Sequence, residues 1–135
     1  MIVDRLRARD FRCYERLDVT LGPRATVVTG DNGAGKTNLL EALYFGCVGR
    51  SCRTRVDVQT IRFDQAVARV EVDGHDDDGE HTLAVAIDRQ LGKTFFADGP
   101  KVDSLENFTW RPPVAVFMPD RLELVKGAPG VRRAH

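Results

Sequence analysis

Gly30-Asp31-Asn32-Gly33-Ala34-Gly35-Lys36-Thr37 is the stretch on which the reading of this chain turns. It fits G-x-x-x-x-G-K-[ST] in full, the pattern of a phosphate-binding loop. A phosphate tail carries several negative charges, so its site must supply many donors with little bulk. Glycines at 30, 33 and 35 let the backbone curl until successive N–H groups point inward as an anion nest. The helix that follows adds the partial positive charge of its amino terminus. In such a loop Lys36 reaches the β- and γ-phosphates, and the Thr37 hydroxyl ligates Mg²⁺. Gly30, Asp31, Asn32, Gly33, Ala34, Gly35, Lys36 and Thr37 are therefore the expected ATP-binding residues, with Thr37 the expected metal ligand. The fixed positions of the pattern arise by chance roughly once in 10⁴–10⁵ positions.

The flanking sequence gives the loop its context. Upstream, Ala25–Thr29 is a short, nearly continuous apolar run, as expected of a strand buried on both faces. Downstream, Leu39, Leu40, Leu43, Tyr44 and Cys47 recur at helical spacing, predicting a helix from about Lys36 to Val48, with Gly46 and Gly49 at its end. Two further strands precede the loop. In Ile2–Asp10, apolar Ile2, Leu6 and Ala8 share one parity and Arg5, Arg7 and Arg9 the other; Leu17, Val19 and Leu21 alternate with Asp18 and Thr20. Gly49–Gln65 is polar and rich in arginine, and its pattern predicts no element. Beyond it the period becomes two: Ala66, Ala68, Val70 and Val72, then Leu83, Val85 and Ile87, then Thr94–Ala97. Turns at Asp76–Glu80 and Leu91-Gly92 join these into an antiparallel meander. Val114–Met118 reads as a last apolar strand. The expected fold is α/β of the P-loop NTPase kind: a mixed sheet around the loop helix, with the antiparallel β-meander beside it.

Composition sets bounds on function. Apolar residues make up 42% and charged residues 30%, and 20 basic residues offset 20 acidic ones. No global field draws the chain to nucleic acid or to an anionic membrane, so any DNA contact must come from a local patch. No apolar run approaches the ~20 residues of a spanning helix, and the first ten residues do not read as a signal peptide. Cys13, Cys47 and Cys52 are odd in number and lack zinc-site spacing, which suggests reduced thiols in a cytoplasmic protein, acting as small buried hydrophobes.

Other features are weaker. Arg5, Arg7, Arg9, Arg12 and Arg16 crowd the first sixteen residues. Arg5, Arg7 and Arg9 are the candidate DNA contacts, against the alternative of a solvated strand face beside Asp4, Asp10 and Glu15. Arg12 follows the first strand and has a second possible role at the nucleotide. Arg50, Ser51 and Arg53, past the helix end, divide evenly between a nucleotide or interface role and a solvated loop. An ATPase also needs an acid after a second apolar strand. Asp120 follows Val114–Met118, but Pro119 sits where that strand should run on, which argues against it. Gly74 and Val85 fall at the first and last ligand positions of an EF-hand aligned on Gly79, so Asp73–His81 reads as a hairpin turn, not a metal loop. Trp110, before Arg111-Pro112-Pro113, reads as packing rather than a base-stacking platform.

Several stretches in order resemble the RecF family of the SMC and ABC-type ATPase superfamily. Asp10-Phe11-Arg12-Cys13-Tyr14 is similar to N-F-R-N-Y, and Gly30 to Tyr44 is similar to G-x-N-G-x-G-K-T-N-L-L-E-A-I-Y. Gly49-Arg50-Ser51-Cys52-Arg53-Thr54 resembles G-R-S-x-R-T, and the run from Phe117 to Pro129 resembles F-x-P-E-D-L-x-L-V-K-G-x-P. The resemblance implies an ABC/SMC-like ATPase head with ATP and Mg²⁺ as cofactors. It also implies a role in DNA replication, recombinational gap repair and the SOS response, with ATP-dependent binding of single-stranded and duplex DNA. RecO and RecR are the implied partners, and an ATP-dependent homodimer the implied assembly. Asp120 and Arg121 replace E-D, and Arg132-Arg133-Ala134-His135 stands where R-R-x-F-L-D continues. On this reading residues 1–135 are the amino-terminal nucleotide-binding lobe of an incomplete domain, a truncated or frameshifted product without Walker B or signature motifs that does not turn over alone. Two other readings stay open: a non-catalytic nucleotide-binding fragment, and the front end of an OLD-type ATPase or nuclease.

Overall fold

The computed structural model describes residues 1–118. Alternating apolar residues build most of it as strands: β1 (Ile2–Phe11), β2 (Tyr14–Thr20), β3 (Val67–Asp76), β4 (Gly79–Asp88), β5 (Gly92–Ala97) and β6 (Lys101–Val102). They form one sheet in the order β2-β1-β3-β4-β5-β6, and every ladder among the described residues is antiparallel. The expected meander is present as β3, β4 and β5. It does not lie beside the first strands but continues their sheet, because β1 pairs with β3, Leu6 opposite Val72 and Ala8 opposite Val70. The Asp73–His81 stretch is the β3–β4 hairpin as expected, with the Asp78 N–H donating to the Asp76 carboxylate at 2.9 Å.

One helix, α1 (Lys36–Val48), covers one face of this sheet. Its bounds are those predicted, but its buried face differs. Leu39, Ala42, Phe45 and Gly46 are buried, whereas Leu40 is 50% exposed. The helix is apolar almost all round, so spacing alone could not pick the face that meets the sheet. Gly46 is not a fraying residue. A Cβ there would lie 2.5 Å from Val72 Cγ2 and 3.0 Å from Val70 Cγ1, so its lack of a side chain lets the helix seat on β3. Gly49 does terminate the helix, at φ 79, its N–H donating to Phe45 O at 2.8 Å. Leu6, Val70, Val72, Val85, Ile87 and Phe45 form the centre of the core.

Two expected strands do not form among the described residues. Ala25–Thr29 and Val114–Met118 join no ladder among the described residues, and Val27 and Phe117 are 83% and 77% exposed. A strand buried on both faces needs a hydrogen-bonded neighbour and covering layers, and the described residues supply none. The unassigned Gly49–Gln65 stretch holds a short 3-10 turn, Asp57–Thr60. It runs along the end of β1, where the Arg12 N–H donates to Thr60 O at 2.7 Å and the Arg62 N–H to Asp10 O at 2.8 Å. Trp110 packs against the core as expected, its ring stacked on His81 at 4.1 Å between centroids.

Candidate phosphate-binding site

The glycine loop folds as its composition requires. Gly33 and Gly35 have φ of 85 and 100, in the left-handed region that side chains avoid. Gly35 is needed twice over, because a Cβ would meet Cys13 Sγ at 2.8 Å and Tyr14 Oη at 2.9 Å. It is also the N-cap of α1. No side chain caps the helix start and its first turn carries no acid, so its leading N–H groups have no side-chain acceptor. The Lys36 ammonium bridges the loop, donating to the carbonyls of Gly30 and of Asp31, the latter at 2.7 Å.

Of the eight predicted residues, Asn32, Gly33, Gly35, Lys36 and Thr37 line one concavity at the start of α1, while Gly30, Asp31 and Ala34 do not line it. Asn38 and Arg53 also line this concavity, whose volume is about 230 Å³. A curled backbone, one ammonium, one guanidinium and a hydroxyl suit a triphosphate, and Thr37 offers the single oxygen expected of a Mg²⁺ ligand on this loop. A larger cavity, about 610 Å³, lies beside it between Tyr44, the 50–55 loop, Lys93 and Val114. The smaller one is the candidate site, because it alone combines the loop and the helix terminus.

The arginines separate once folded. Arg12 is not among the residues that line the concavity. Its Nε and Nη2 donate to the Glu41 carboxylate at 2.9 and 2.7 Å, and Nη1 donates to Gln59 O at 2.9 Å. Glu41 is fully buried and also accepts from Ser51 Oγ at 2.5 Å and from Arg53 Nη1 at 3.2 Å. Burial pushes the Glu41 carboxyl up, but the hydrogen bonds from Arg12 and Ser51 and the charges of Arg12 and Arg53 outweigh it and hold the group below the ordinary carboxylate value. Arg53 Nη1 also donates to Asn38 Oδ1 at 2.9 Å, which fixes its guanidinium at the concavity. Glu41 is the residue that sequence reasoning missed. A lone acid within an apolar helix was the available signal, since a buried carboxylate must find cations.

Arg5 and Arg7 are committed to carboxylates, Arg5 to Asp18 at 2.7 and 2.5 Å and Arg7 to Asp73 at 2.9 and 2.8 Å. Arg9 is 71% exposed. Only Cys47 of the cysteines is a buried hydrophobe, its thiol pushed up to about 12 by burial. Cys13 is exposed and accepts from Asn38 Nδ2 at 3.1 Å beside the loop, because the β1–β2 turn that carries it faces the helix start. Asp120 and Arg121, with most of the stretch from Phe117 to Pro129, lie outside the described residues.

A glycine loop on the N-terminus of a helix that backs a β-sheet is the arrangement of a P-loop fold, and the chain belongs to the AAA domain family, whose model matches residues 5–108. More particularly, it is similar to the DNA replication and repair protein RecF of Halalkalibacterium halodurans, 35% identical over 133 residues, which is 98% of this chain and 36% of the relative. The chain therefore spans little more than a third of the length of the curated relative it matches. Among solved structures it is similar to the recombination mediator protein RecF–ATP in the RecFOR pathway, with a TM-score of 0.85 and 23% identity over 98% of this chain and 36% of that one. It is also similar to an SMC ATPase solved in a study of ATP-driven dimerization and DNA-stimulated activation, with a TM-score of 0.78 and 17% identity over 99% of this chain and 96% of that one. At these identities the two structures speak for the fold alone.

Proposed function

We propose that this chain binds ATP at Gly30–Thr37 as the nucleotide-binding lobe of a RecF-like DNA replication and repair protein. The observation that carries the reading is the uncapped N-terminus of α1 behind a left-handed glycine loop, with Lys36 and Arg53 both lining the concavity there. The concavity of about 230 Å³ is smaller than the roughly 300–1,000 Å³ of a whole small-molecule pocket. It suits the phosphate end of a nucleotide, with base and sugar lying outside it. Loop N–H groups hold the phosphates, Lys36 neutralises their charge, and the Thr37 hydroxyl is a ligand for the Mg²⁺ that accompanies them.

The similarity to RecF over nearly the whole chain favours this reading over an OLD-type front end. In the same reading the protein acts in the cytoplasm in recombinational gap repair and the SOS response. It contacts single-stranded and duplex DNA, works with RecO and RecR, and pairs with a second copy around ATP. Turnover by these residues alone is not expected. Glu41, the one fully buried carboxylate among the described residues, is taken up by Arg12, Ser51 and Arg53 and does not activate water.

Titration calorimetry with Mg²⁺ and ATP tests the reading. A charge-assisted hydrogen bond contributes about 1.5–3 kcal/mol, so Lys36→Ala is expected to weaken binding about ten- to a hundredfold. Equal affinity in the two proteins would refute it.

A further inference from the structure

The sheet face turned away from α1 carries its charges in rows, each running across β2, β1 and β3 through residues the register sets side by side. Thr20, Arg5 and Asp73 make one row; Asp18, Arg7 and Glu71 make the next. In both, acids stand within reach of the arginine, and the bonds of Arg5 to Asp18 and of Arg7 to Asp73 cancel charge locally. The third row differs. Arg9 lies opposite Arg16 on one side and opposite Arg69 on the other.

Three arginines abreast on adjacent strands, about 4.8 Å apart, span roughly 10 Å. Like charges directly opposite one another destabilise a sheet, so this arrangement works against the fold that carries it. Little offsets it. Arg9 has one ion pair, with its sequence neighbour Asp10 at a long 3.8 Å. Arg16 is exposed and pairs with no carboxylate among the described residues. Arg69 is held by Glu71 at 2.7 Å and lies over the Phe96 ring, 4.7 Å from its centroid. The row then continues onto small residues, Ala86 of β4 and Thr94 of β5.

We propose that Arg9, Arg16 and Arg69 form a contact surface for the sugar–phosphate backbone of DNA, an inference that rests on the DNA-binding part of the reading above. A polyanion laid across the strands relieves the repulsion within the row, and each guanidinium offers a planar fork that matches phosphate oxygens. Contacts of this kind position a strand without reading its sequence. A protein partner fits less well, because an interface needs an apolar centre, and Phe96 on this face is already covered by Arg69.

The test is fluorescence anisotropy of labelled single-stranded and duplex oligonucleotides with the full chain, titrated over a range of salt. Arg9→Glu places an acid between two arginines, so its melting temperature is expected to rise while its affinity for DNA falls tenfold or more. Arg16→Ala should lower the slope of log affinity against log salt by roughly 0.7–0.9. Replacing all three row residues by lysine, which keeps the charge but loses the planar fork, should give an affinity between those of the wild type and of Arg9→Glu. ATP affinity should be unaltered in every variant. Wild-type DNA affinity in a folded Arg9→Glu protein overturns this surface while leaving DNA binding intact. Failure of the wild type to bind either oligonucleotide overturns the DNA reading itself, and with it this surface. Poly-glutamate that binds as tightly as DNA, with the same loss in Arg9→Glu, assigns the row to an acidic polypeptide and likewise overturns the proposal.

Discussion

The guanidinium of Arg12 lies bidentate on the buried carboxylate of Glu41, and this pair ties the β1–β2 turn to the helix that carries the phosphate loop. The end of β1 and the turn after it are strained, with Asp10 and Arg12 at φ 50 and 52. Left-handed non-glycine residues cost of the order of 1–3 kcal/mol each. The Arg12–Glu41 pair and the Arg12 N–H bond to Thr60 hold the turn in place against that cost.

Removing the charge of Glu41 should therefore be severe. Glu41→Gln leaves the largely buried Arg12 without its counter-charge, and breaking such a pair costs about 3 kcal/mol. Urea unfolding would measure this. The pH dependence follows from the lowered pKa of Glu41. Its contribution is present above the ordinary value of 4.5 and is lost as pH falls through the lower folded value. The variant should accordingly show a flatter fall in stability below pH 4.5 than the wild type.

Gly46→Ala sets two effects against each other. Alanine is favoured over glycine within a helix by about 1 kcal/mol. The added methyl, however, would stand 2.5 Å from Val72 Cγ2, and overpacking of that kind costs about 1–3 kcal/mol. Packing wins, and thermal melting should show a net loss. Helix content by circular dichroism should stay unchanged, which separates the packing fault from helix failure.

Gly35→Ala should act on the loop itself. It forces a side chain into φ 100 and against Cys13 and Tyr14, at a cost of about 2 kcal/mol or more. The loop then shifts, and calorimetry should find ATP binding reduced even where the protein remains folded. Normal ATP affinity in that variant would show that the left-handed loop is not the site.

His81 predicts an optical signal. The Asp98 hydrogen bond, followed by that of Asp76, raises its pKa above the ordinary 6.5. A raised value means that its contribution is full below 6.5 and is lost as pH rises through the folded value. Its ring stacks on Trp110, the only tryptophan of the chain. Tryptophan emission should change as pH rises from 6.5, and His81→Gln should abolish that transition. A transition that persists in the variant would assign it elsewhere.

The elements legible in advance were those whose reason is local. The bounds of α1 follow from Gly35 before it and Gly49 after it, and the strands β3, β4 and β5 follow from a period of two. Ala25–Thr29 misled because an apolar run states a need for neighbours without saying that they are present. Leu40 misled because α1 is apolar on nearly every side, so only contact with β3 reveals which side is buried.

By itself, the sequence determined the glycine loop, since its shape resides in eight consecutive residues whose glycines and lysine act through their own backbone and reach. Tertiary structure alone decided what the arginines do. Arg12 and Arg53 meet at Glu41, 29 and 12 residues away in the chain. Arg9, Arg16 and Arg69 stand abreast only because β1 pairs with β2 on one side and β3 on the other. A guanidinium's role depends on the carboxylates around it, and strand register, which periodicity does not encode, is what places them.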